Sequence, residues 1–230
     1  MINLSVIVPF FNEEQFLEES VDRLLSNDIY SSIYLIDNNS YDNSYNIAKD
    51  LETKHEKISL HKTKKNKGKG AALEFGRNLI KTSHVVIHDA DLEYFPEDII
   101  EMFDVAQMNQ NSLILGSRFI GNKKRENIYL RTYLANKVMS SFFSFVNFYK
   151  VTDVATCYKL MPSNFFVNTL LKENGFSIEI ELLSKFLKYN KSILEVPIAY
   201  EGRSYSEGKK IKAFDGIQYL LNTIKYRFLN

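Results

Sequence analysis

The chain has 230 residues and a mass of 26.8 kDa, a length that suits one domain whose core the 45% of hydrophobic residues can fill. Its 29 basic and 28 acidic residues give a formal net charge of +1, so no global field attracts nucleic acid, and an anionic ligand must be held locally. Cys157 is the single cysteine and the N-terminus resembles a buried strand rather than a signal peptide, so we expect a reducing, cytoplasmic setting.

The first half of the chain alternates short apolar runs with stretches of helical periodicity. The apolar runs predict strands at 4–8, 33–36, 58–60, 85–87 and 113–115. Apolar residues at helical spacing predict helices between them, the first capped by Asn12 and another opened by Pro96. Strands that alternate with helices predict an α/β fold with a mostly parallel central sheet flanked by helices.

The second half has fewer strand signals. It predicts one strand at 193–196, an amphipathic helix over 130–149, and further helices near 178–187 and 214–228. No internal repeat and no linker rich in proline or glycine divides the chain. We therefore expect a single domain over residues 1–230.

The predicted helix at 130–149 carries an apolar stripe. The most apolar stretch, 138–149, is shorter than the roughly 20 apolar residues of a spanning helix and contains polar residues, so we expect no transmembrane segment. Three destinations stay open for the stripe: the chain's own core, a homodimer interface, or peripheral contact with a membrane. Its members are Leu130, Leu134, Val138, Phe142, Phe145 and Tyr149.

Acidic side chains follow the predicted strand at 85–87. Asp89, Asp91 and Glu93 are spaced two apart, and in an extended segment such residues point to one face, where they would converge on a hard cation. Ligands of an open parallel sheet bind beyond the carboxyl ends of its strands, which is where these residues lie. A divalent cation held there would neutralise a diphosphate.

The first two predicted strands also end in residues suited to a nucleoside. Pro9, Phe11 and Glu13 follow the first strand and supply a fixed turn, an aromatic face for a base and a carboxylate. Asp37 follows the second strand and is placed to accept a hydrogen bond from a nucleobase N–H or a ribose hydroxyl. Turn formation and helix capping are the ordinary alternatives for both clusters.

Cations occur near the same predicted edge of the sheet. The basic segment 64–70 precedes a helix, so its backbone N–H groups, the helix dipole and Lys69 would meet phosphate together. Arg118 follows the predicted strand at 113–115. The non-periodic segment 200–211 combines glycines, tyrosines and cations, among them Arg203, which is typical of a loop that closes over phosphates.

These motifs occur in the order found in a known family. The chain resembles family-2 glycosyltransferases of the Rossmann-like GT-A fold, in the branch of dolichol-phosphate mannosyltransferases and polyprenyl-phosphate glycosyltransferases. The resemblance implies a nucleotide-sugar-binding half at 1–120 and an acceptor-side half at 121–230 within one domain. The segments that carry it are 6–13, 37–42, 66–73, 89–98, 116–118, 153–159, 175–183 and 202–211.

The resemblance also implies a role for each candidate residue. The residues implied to bind the nucleotide sugar are Pro9, Phe11, Glu13, Asp37, Lys69 and Asp89. Those implied to hold Mg2+ or Mn2+ are Asp89, Asp91 and Glu93. The implied catalytic set, in which the cations approach phosphates, is Asp89, Asp91, Arg118 and Arg203.

The implied activity is metal-dependent transfer of a hexose, with inversion, from a nucleoside-diphosphate sugar such as GDP-mannose or UDP-glucose. The implied acceptor is a polyprenyl or dolichyl phosphate, in cell-envelope polysaccharide synthesis at the inner face of a membrane. A saccharide hydroxyl is the alternative acceptor, and it would need a carboxylate base, for which Glu179, Glu181 and Asp153 are the candidates. A non-catalytic nucleotide-sugar-binding module is a further alternative, whereas a sugar nucleotidyltransferase is disfavoured because segment 9–13 contains no glycine.

Overall fold

The structure, a computed structural model, describes residues 2–203 and 213–229, with side chains described from residue 216 onward in the second range. The predicted loop at 200–211 therefore lies outside the described residues from position 204. The strands are β1 (Leu4–Phe10), β2 (Tyr30–Asp37), β3 (Ile58–Lys62), β4 (His84–Ile87), β5 (Leu113–Ser117), β6 (Arg125–Glu126), β7 (Lys159–Pro162), β8 (Ile193–Pro197) and β9 (Tyr200–Glu201). The α-helices are α1 (Leu17–Leu25), α2 (Ser44–Lys54), α3 (Lys69–Gly76), α4 (Glu97–Met108), α5 (Leu130–Asn147), α6 (Ser163–Asn168), α7 (Ile178–Tyr189) and α8 (Ala213–Phe228).

The central sheet has seven strands in the order β3-β2-β1-β4-β7-β5-β8. β1 pairs in parallel with β2 and β4, β2 with β3, and β5 with β8, whereas β7 is antiparallel to both of its neighbours. β6 and β9 form a separate two-stranded sheet. The predicted α/β fold with a mostly parallel sheet flanked by helices is confirmed.

The inner strands owe their apolar runs to burial on both faces. All residues of β1, β4 and β5 are buried, as expected for parallel strands that helices cover on each side. Ser5 is the polar exception in β1, and its hydroxyl accepts a hydrogen bond from Thr82 at 2.7 Å. Removing this apolar surface from water supplies most of the driving force for folding.

β7 has no counterpart among the predicted strands. It is four residues long and begins with the charged Lys159, so it carries no apolar run to reveal it. Its position between β4 and β5 is decided by backbone pairing with two distant segments of the chain. Because β7 comes from residues 121–230, the two halves of the chain share one sheet.

The first helix begins later than the sequence predicts. Asn12 adopts φ 53°, and its backbone N–H donates to Ser40 Oγ at 3.0 Å. Its side-chain carbonyl accepts from the backbone N–H of Tyr41 at 3.1 Å. α1 then begins at Leu17, so the prediction that Asn12 caps this helix is wrong, and Asn12 instead ties the end of β1 to the loop after β2.

α5 leaves most of its apolar stripe in solvent. Leu130, Leu134, Val138 and Phe145 are exposed, at 70%, 53%, 60% and 75%, which rules out the chain's own core as the destination of these four. The helix ends at Asn147 and is followed by Phe148, whose φ of 52° is left-handed. Within the described ranges, no helix is both long and apolar enough to cross a membrane.

His88 is buried where β4 meets α1 and the segment before β7. Its Nε2 lies 2.9 Å from Ser20 Oγ, and its Nδ1 lies 3.1 Å from the Tyr158 hydroxyl. Burial lowers the pKa of His88 to about 4, with smaller contributions from neighbouring charges. The folded protein therefore holds this imidazole neutral over a pH range in which the unfolded chain protonates it.

This difference predicts an acid-sensitive fold. The stability that neutral His88 contributes is complete above about pH 6.5 and is lost as the pH falls towards 4, by about 3 kcal/mol at roughly 1.4 kcal/mol per pKa unit. We expect His88→Gln, which cannot titrate, to lose less stability than the wild type between pH 7 and pH 4.5 in urea unfolding. An equal loss of unfolding free energy in His88→Gln and the wild type would contradict the lowered pKa of His88.

Candidate active site

A cavity of about 560 Å3 opens at the carboxyl ends of β1, β4 and β5, the edge at which parallel strands leave a crevice for ligands. Residues of α3, α5, α7 and α8 supply its other walls. Of the residues implied to bind the nucleotide sugar, hold the metal or catalyse, all except Asp37 line it: Pro9, Phe11, Glu13, Lys69, Asp89, Asp91, Glu93, Arg118 and Arg203.

Asp37 lies behind the cavity wall. Its carboxylate is fully buried, accepts from the backbone N–H of Ser40 at 2.8 Å and lies 3.2 Å from the Lys62 ammonium. Two amides from segments 37–42 and 66–73, Asn38 and Asn66, line the cavity instead. Asn38 donates to Asn66 Oδ1 at 2.9 Å, an amide pair beside the Phe11 end of the cavity.

Lys69, the first residue of α3, is shared by two carboxylates. Its Nζ lies 2.7 Å from Asp89 Oδ1 and 2.8 Å from Glu179 Oε1. Burial disfavours the ammonium, but the carboxylates of Asp89 and Glu179 outweigh it and hold the pKa of Lys69 well above its ordinary value. Burial likewise opposes ionisation of Asp89, yet Lys69 holds the pKa of that carboxyl below its ordinary range. Both groups are therefore charged at neutral pH.

Arg203 neutralises a second group of acids. Its guanidinium lies 3.2 Å from Glu13 Oε2 and 3.0 Å from Asp91 Oδ2, and its backbone N–H donates to Glu93 at 2.9 Å. The other Glu93 oxygen accepts from the Tyr200 hydroxyl at 2.7 Å. Burial, and then the nearby carboxylates of Glu93 and Asp89, raise the pKa of Asp91 to about 7 even though Arg203 opposes them. Three carboxylates, those of Glu13, Asp91 and Glu93, therefore share one guanidinium.

The acidic residues after β4 lie in a turn rather than in the extended segment that the sequence analysis assumed. Leu92 adopts φ 61°, a left-handed conformation that costs a branched residue about 1 kcal/mol or more. The backbone N–H of Glu93 donates to Asp91 Oδ1 at 3.2 Å within this turn. Asp89, Asp91 and Glu93 all line one cavity, although they reach it through this turn and not through alternation along a strand.

Arg118 lines the cavity while its guanidinium is held from behind by Asp153. Its Nε and Nη2 donate to the two Asp153 oxygens at 2.7 and 2.8 Å, and its backbone N–H donates to the same carboxylate at 3.0 Å. The guanidinium carbon lies 4.9 Å from the centre of the Tyr200 ring. Burial disfavours the charge, but Asp153 outweighs burial and keeps the pKa of Arg118 well above its ordinary value.

None of the three candidate bases is an uncommitted carboxylate. Asp153 is held by Arg118, as described above. Glu179 contacts Lys69 with one oxygen and Lys159 with the other. Glu181 does not line the cavity, and it accepts from Lys185 and from two backbone N–H groups at the start of the 172–177 segment. A hydroxyl acceptor would therefore find no ready base among these residues.

The far end of the cavity lies between α5 and α8. Met139 and Asn136 of α5 face Gly216 and Tyr219 of α8 across it. Arg131, in the first turn of α5, also lines the cavity and has no carboxylate partner in the described part of the chain. The sequence offered only its position beside the apolar stripe as a signal for this cation.

Comparison with known proteins decides the family. Residues 5–168 match the family described as Glycosyl transferase family 2. The chain belongs to this family. This glycosyltransferase is 27% identical over 234 residues to a dolichol-phosphate mannosyltransferase of Pyrococcus furiosus, covering 98% of this chain but only 64% of that relative. It is also 27% identical over 243 residues to a UDP-N-acetylglucosamine–dolichyl-phosphate N-acetylglucosaminyltransferase of Methanococcus voltae, covering 97% of this chain and 94% of the relative.

Solved structures share the fold of this glycosyltransferase. Glucosyl-3-phosphoglycerate synthase of Mycobacterium tuberculosis, in a complex with Mn2+, UDP and glucosyl-3-phosphoglycerate, superposes with a TM-score of 0.72 at 16% identity. The match covers 98% of this chain and 80% of the synthase. The predicted GT-A fold is thereby confirmed, and the chain is an enzyme of family 2.

The carboxylates of this glycosyltransferase fit a divalent cation shared with a ligand. Within the described ranges, no three Asp, Glu, His or Cys side chains are arranged to hold a metal ion by themselves. Both oxygens of Glu93 accept hydrogen bonds from Tyr200 and Arg203. Both oxygens of Asp89 contact the Lys69 ammonium, and those of Asp91 accept from Arg203 and from the backbone N–H of Glu93. Asp89 and Asp91 are thus held by side-chain cations whose place a metal ion would share, and Mg2+ commonly binds through one or two carboxylates together with substrate phosphates. The three carboxylates that share the Arg203 guanidinium suit such a cation.

The position of Lys69 depends on close backbone packing at Gly70. A Cβ at Gly70 would lie 1.9 Å from the carbonyl oxygen of Glu173, and no flexible side chain is there to give way. We expect Gly70→Ala to lower the free energy of unfolding by about 3 kcal/mol, as severe overpacking does, in urea unfolding. Gly175→Ala is the matched control because nothing lies within 4 Å of its added methyl group. A similar loss in both variants would contradict this account.

Proposed function

We propose that this enzyme transfers a hexose from a nucleoside-diphosphate sugar, of the GDP-mannose or UDP-glucose kind, to a polyprenyl or dolichyl phosphate, with Mg2+ or Mn2+ as cofactor. The observation that carries the proposal is the alternation of charge in one cavity, in which Lys69 and Arg203 neutralise the paired aspartates Asp89 and Asp91. A donor diphosphate would pair with the cations of this cavity, and a divalent cation would pair with its aspartates.

The donor nucleoside occupies the end of the cavity formed by β1 and β2 in this proposal. Pro9 and Phe11 offer apolar and aromatic surface for the base, and the Asn38–Asn66 amide pair offers polar edges. The diphosphate lies against Lys69 at the start of α3, where the helix dipole favours negative charge. Support comes from the M. tuberculosis synthase, whose structures were solved with UDP and with UDP-glucose.

Asp89 and Asp91 would hold the divalent cation. When bound, such an ion acts as a Lewis acid that stabilises the negative charge of the departing nucleoside diphosphate. Glu93 has a positioning role in this proposal, because it fixes the backbone of Arg203 and the Tyr200 hydroxyl. Arg203 and Lys69 then supply positive charge on two sides of the diphosphate. Mn2+ in the M. tuberculosis complexes supports the choice of metal class.

A lipid phosphate suits the acceptor end better than a hydroxyl does. A phosphate is already an anion and attacks the anomeric carbon without a strong base, in a single displacement that inverts it. The candidate bases Asp153 and Glu179 are both held by cations, and Arg131 offers a positive charge to the phosphate. The names of the P. furiosus and M. voltae relatives, which act on dolichol phosphates, support this choice.

The metal assignment predicts a specific loss in Asp91→Asn. A nucleotide that binds only the folded state should stabilise the wild type by about 2.7 kcal/mol at 100 times its dissociation constant. We expect GDP or UDP to raise the thermal midpoint of the wild type when Mn2+ is present, and we expect Asp91→Asn to lose the Mn2+-dependent part. Asp28→Asn, whose carboxylate is fully exposed, is the control. Full Mn2+ dependence in Asp91→Asn would reject Asp91 as the ligand.

A membrane surface is the partner that we propose for α5 and α8. Both helices line the acceptor end of the cavity with one face and expose apolar residues elsewhere. α5 carries Arg131 and Lys137 with no acid, and α8 ends with Lys225 and Arg227, so basic groups accompany the apolar surface. Apolar side chains beside cations are typical of helices that lie in an anionic interface. The exposed residues on α8 are Ile217, Leu221, Ile224 and Phe228.

This docking surface predicts a mutation-sensitive association with vesicles. We expect the wild type to cosediment with phosphatidylglycerol vesicles at low salt. The double variant Leu134→Ser/Leu221→Ser should bind at least about tenfold more weakly, because it loses two exposed leucines that would enter the membrane. Met108→Ser on α4 removes an apolar residue of 79% exposure from elsewhere and is the control. The membrane proposal would be rejected if the wild type did not bind vesicles but formed a dimer that the double variant could not form. The surface would then be an interface with a second copy of the chain.

A further inference from the structure

Lys159 is a buried lysine that lies outside the cavity. It begins β7, its side chain is 0% exposed, and it is not among the residues that line the cavity. Its Nζ donates to the carbonyl oxygen of Thr156 and to Glu179 Oε2. The role assigned to the cavity residues above does not use this ammonium.

Lys159 is the inner end of a line of alternating charges that reaches the candidate metal site. Glu179 divides its two oxygens between Lys159 and Lys69, and Lys69 divides its ammonium between Glu179 and Asp89. The order is therefore Lys159, Glu179, Lys69, Asp89. Nearly all of these side chains are shielded from solvent, with 23% exposure at Asp89 as the largest value, so the charges are weakly screened.

Stability alone is a weak reason for such a line. Taking charged groups out of water costs several kcal/mol per ion, and a well-packed apolar residue often replaces a buried ion pair without loss of stability. A positional role is a better reason. When Asp89 also binds a cation, Glu179 is the carboxylate that still holds Lys69. The strength of the Glu179–Lys69 ion pair depends on how far Lys159 already neutralises the Glu179 carboxylate.

We propose that Lys159 is a positioning residue that sets, through Glu179, how freely the Lys69 ammonium can reach the donor diphosphate. This inference rests on the proposed function. With Lys159 present, one oxygen of Glu179 is already paired, so Glu179 holds Lys69 less strongly than it would alone. Without it, Glu179 has Lys69 as its remaining cation among these four residues and draws it away from both Asp89 and the diphosphate.

The test measures binding rather than turnover. UDP and GDP are titrated calorimetrically into the wild type, Lys159→Met and Lys159→Arg with saturating Mn2+, and free Mn2+ binding is followed by electron paramagnetic resonance without nucleotide. We expect Lys159→Met to bind the nucleotide about tenfold more weakly, the scale of one charge-assisted hydrogen bond, and to bind free Mn2+ more tightly. We expect Lys159→Arg to restore nucleotide affinity because it keeps the charge.

A double-mutant cycle separates positioning from a general electrostatic effect. Lys159→Met is repeated in a Lys69→Met background. If Lys159 acts through Lys69, its substitution should no longer change the nucleotide and Mn2+ affinities there, whereas a direct electrostatic effect of Lys159 would persist. An undiminished effect in that background, or no effect in the wild type, would overturn the proposal. If Lys159→Met fails to fold, Glu179→Gln replaces it. Glu179→Gln should weaken the binding of free Mn2+, because Lys69 then has Asp89 as its one carboxylate partner among these residues. If Glu179→Gln weakened Mn2+ binding equally in the Lys69→Met background, the proposal would again be overturned.

The outcomes also separate this inference from the function on which it rests. A wild type that binds neither UDP nor GDP with Mn2+ would reject the proposed donor chemistry, and the role of Lys159 with it. A wild type that binds one of them, with variants that show no coupling between Lys159 and Lys69, would reject the positioning role alone.

Discussion

The structure depends on neutralising carboxylates that are buried together at one edge of the sheet. Glu13 comes from the end of β1, Asp89 and Asp91 from the end of β4, and Glu179 from α7. Gathered in a poorly hydrated cavity, these acids would repel one another, so each must be matched by a cation. The cations come from other segments, and charge pairing therefore links the early strands to the second half of the chain.

This pairing also gives the site its chemistry. Lys69 contacts Asp89, Arg203 contacts Asp91, and all four side chains line the cavity. A ligand that brings both signs of charge, as a metal diphosphate does, can enter such an array without leaving a buried charge unpaired. Arg118 differs, because its bidentate pair with Asp153 fixes its guanidinium in the cavity wall.

Much of the fold could be predicted from the sequence because β1, β2, β4 and β5 are apolar runs that alternate with periodic helices. The strand that could not be predicted is β7. It begins with the charged Lys159, which interrupts the apolar pattern, and it pairs with β4 and β5, which are distant in sequence. The site residues likewise divide into those that the sequence could predict and those that it could not. Residues directly after strands, such as Asp89 and Arg118, were predictable by position, whereas the Asp153 partner of Arg118 and the inward turn of Asp37 depend on packing that no local pattern records.

The antiparallel strand β7 has a consequence for how the chain folds during synthesis. β5 reaches the rest of the central sheet only across β7, so β4 and β5 each keep an unpaired edge on that side until residues 159–162 have left the ribosome. Exposed strand edges are templates for wrong pairing. Nascent chains that end near residue 120 should therefore be aggregation-prone, and a separately supplied C-terminal fragment should rescue them by completing the sheet.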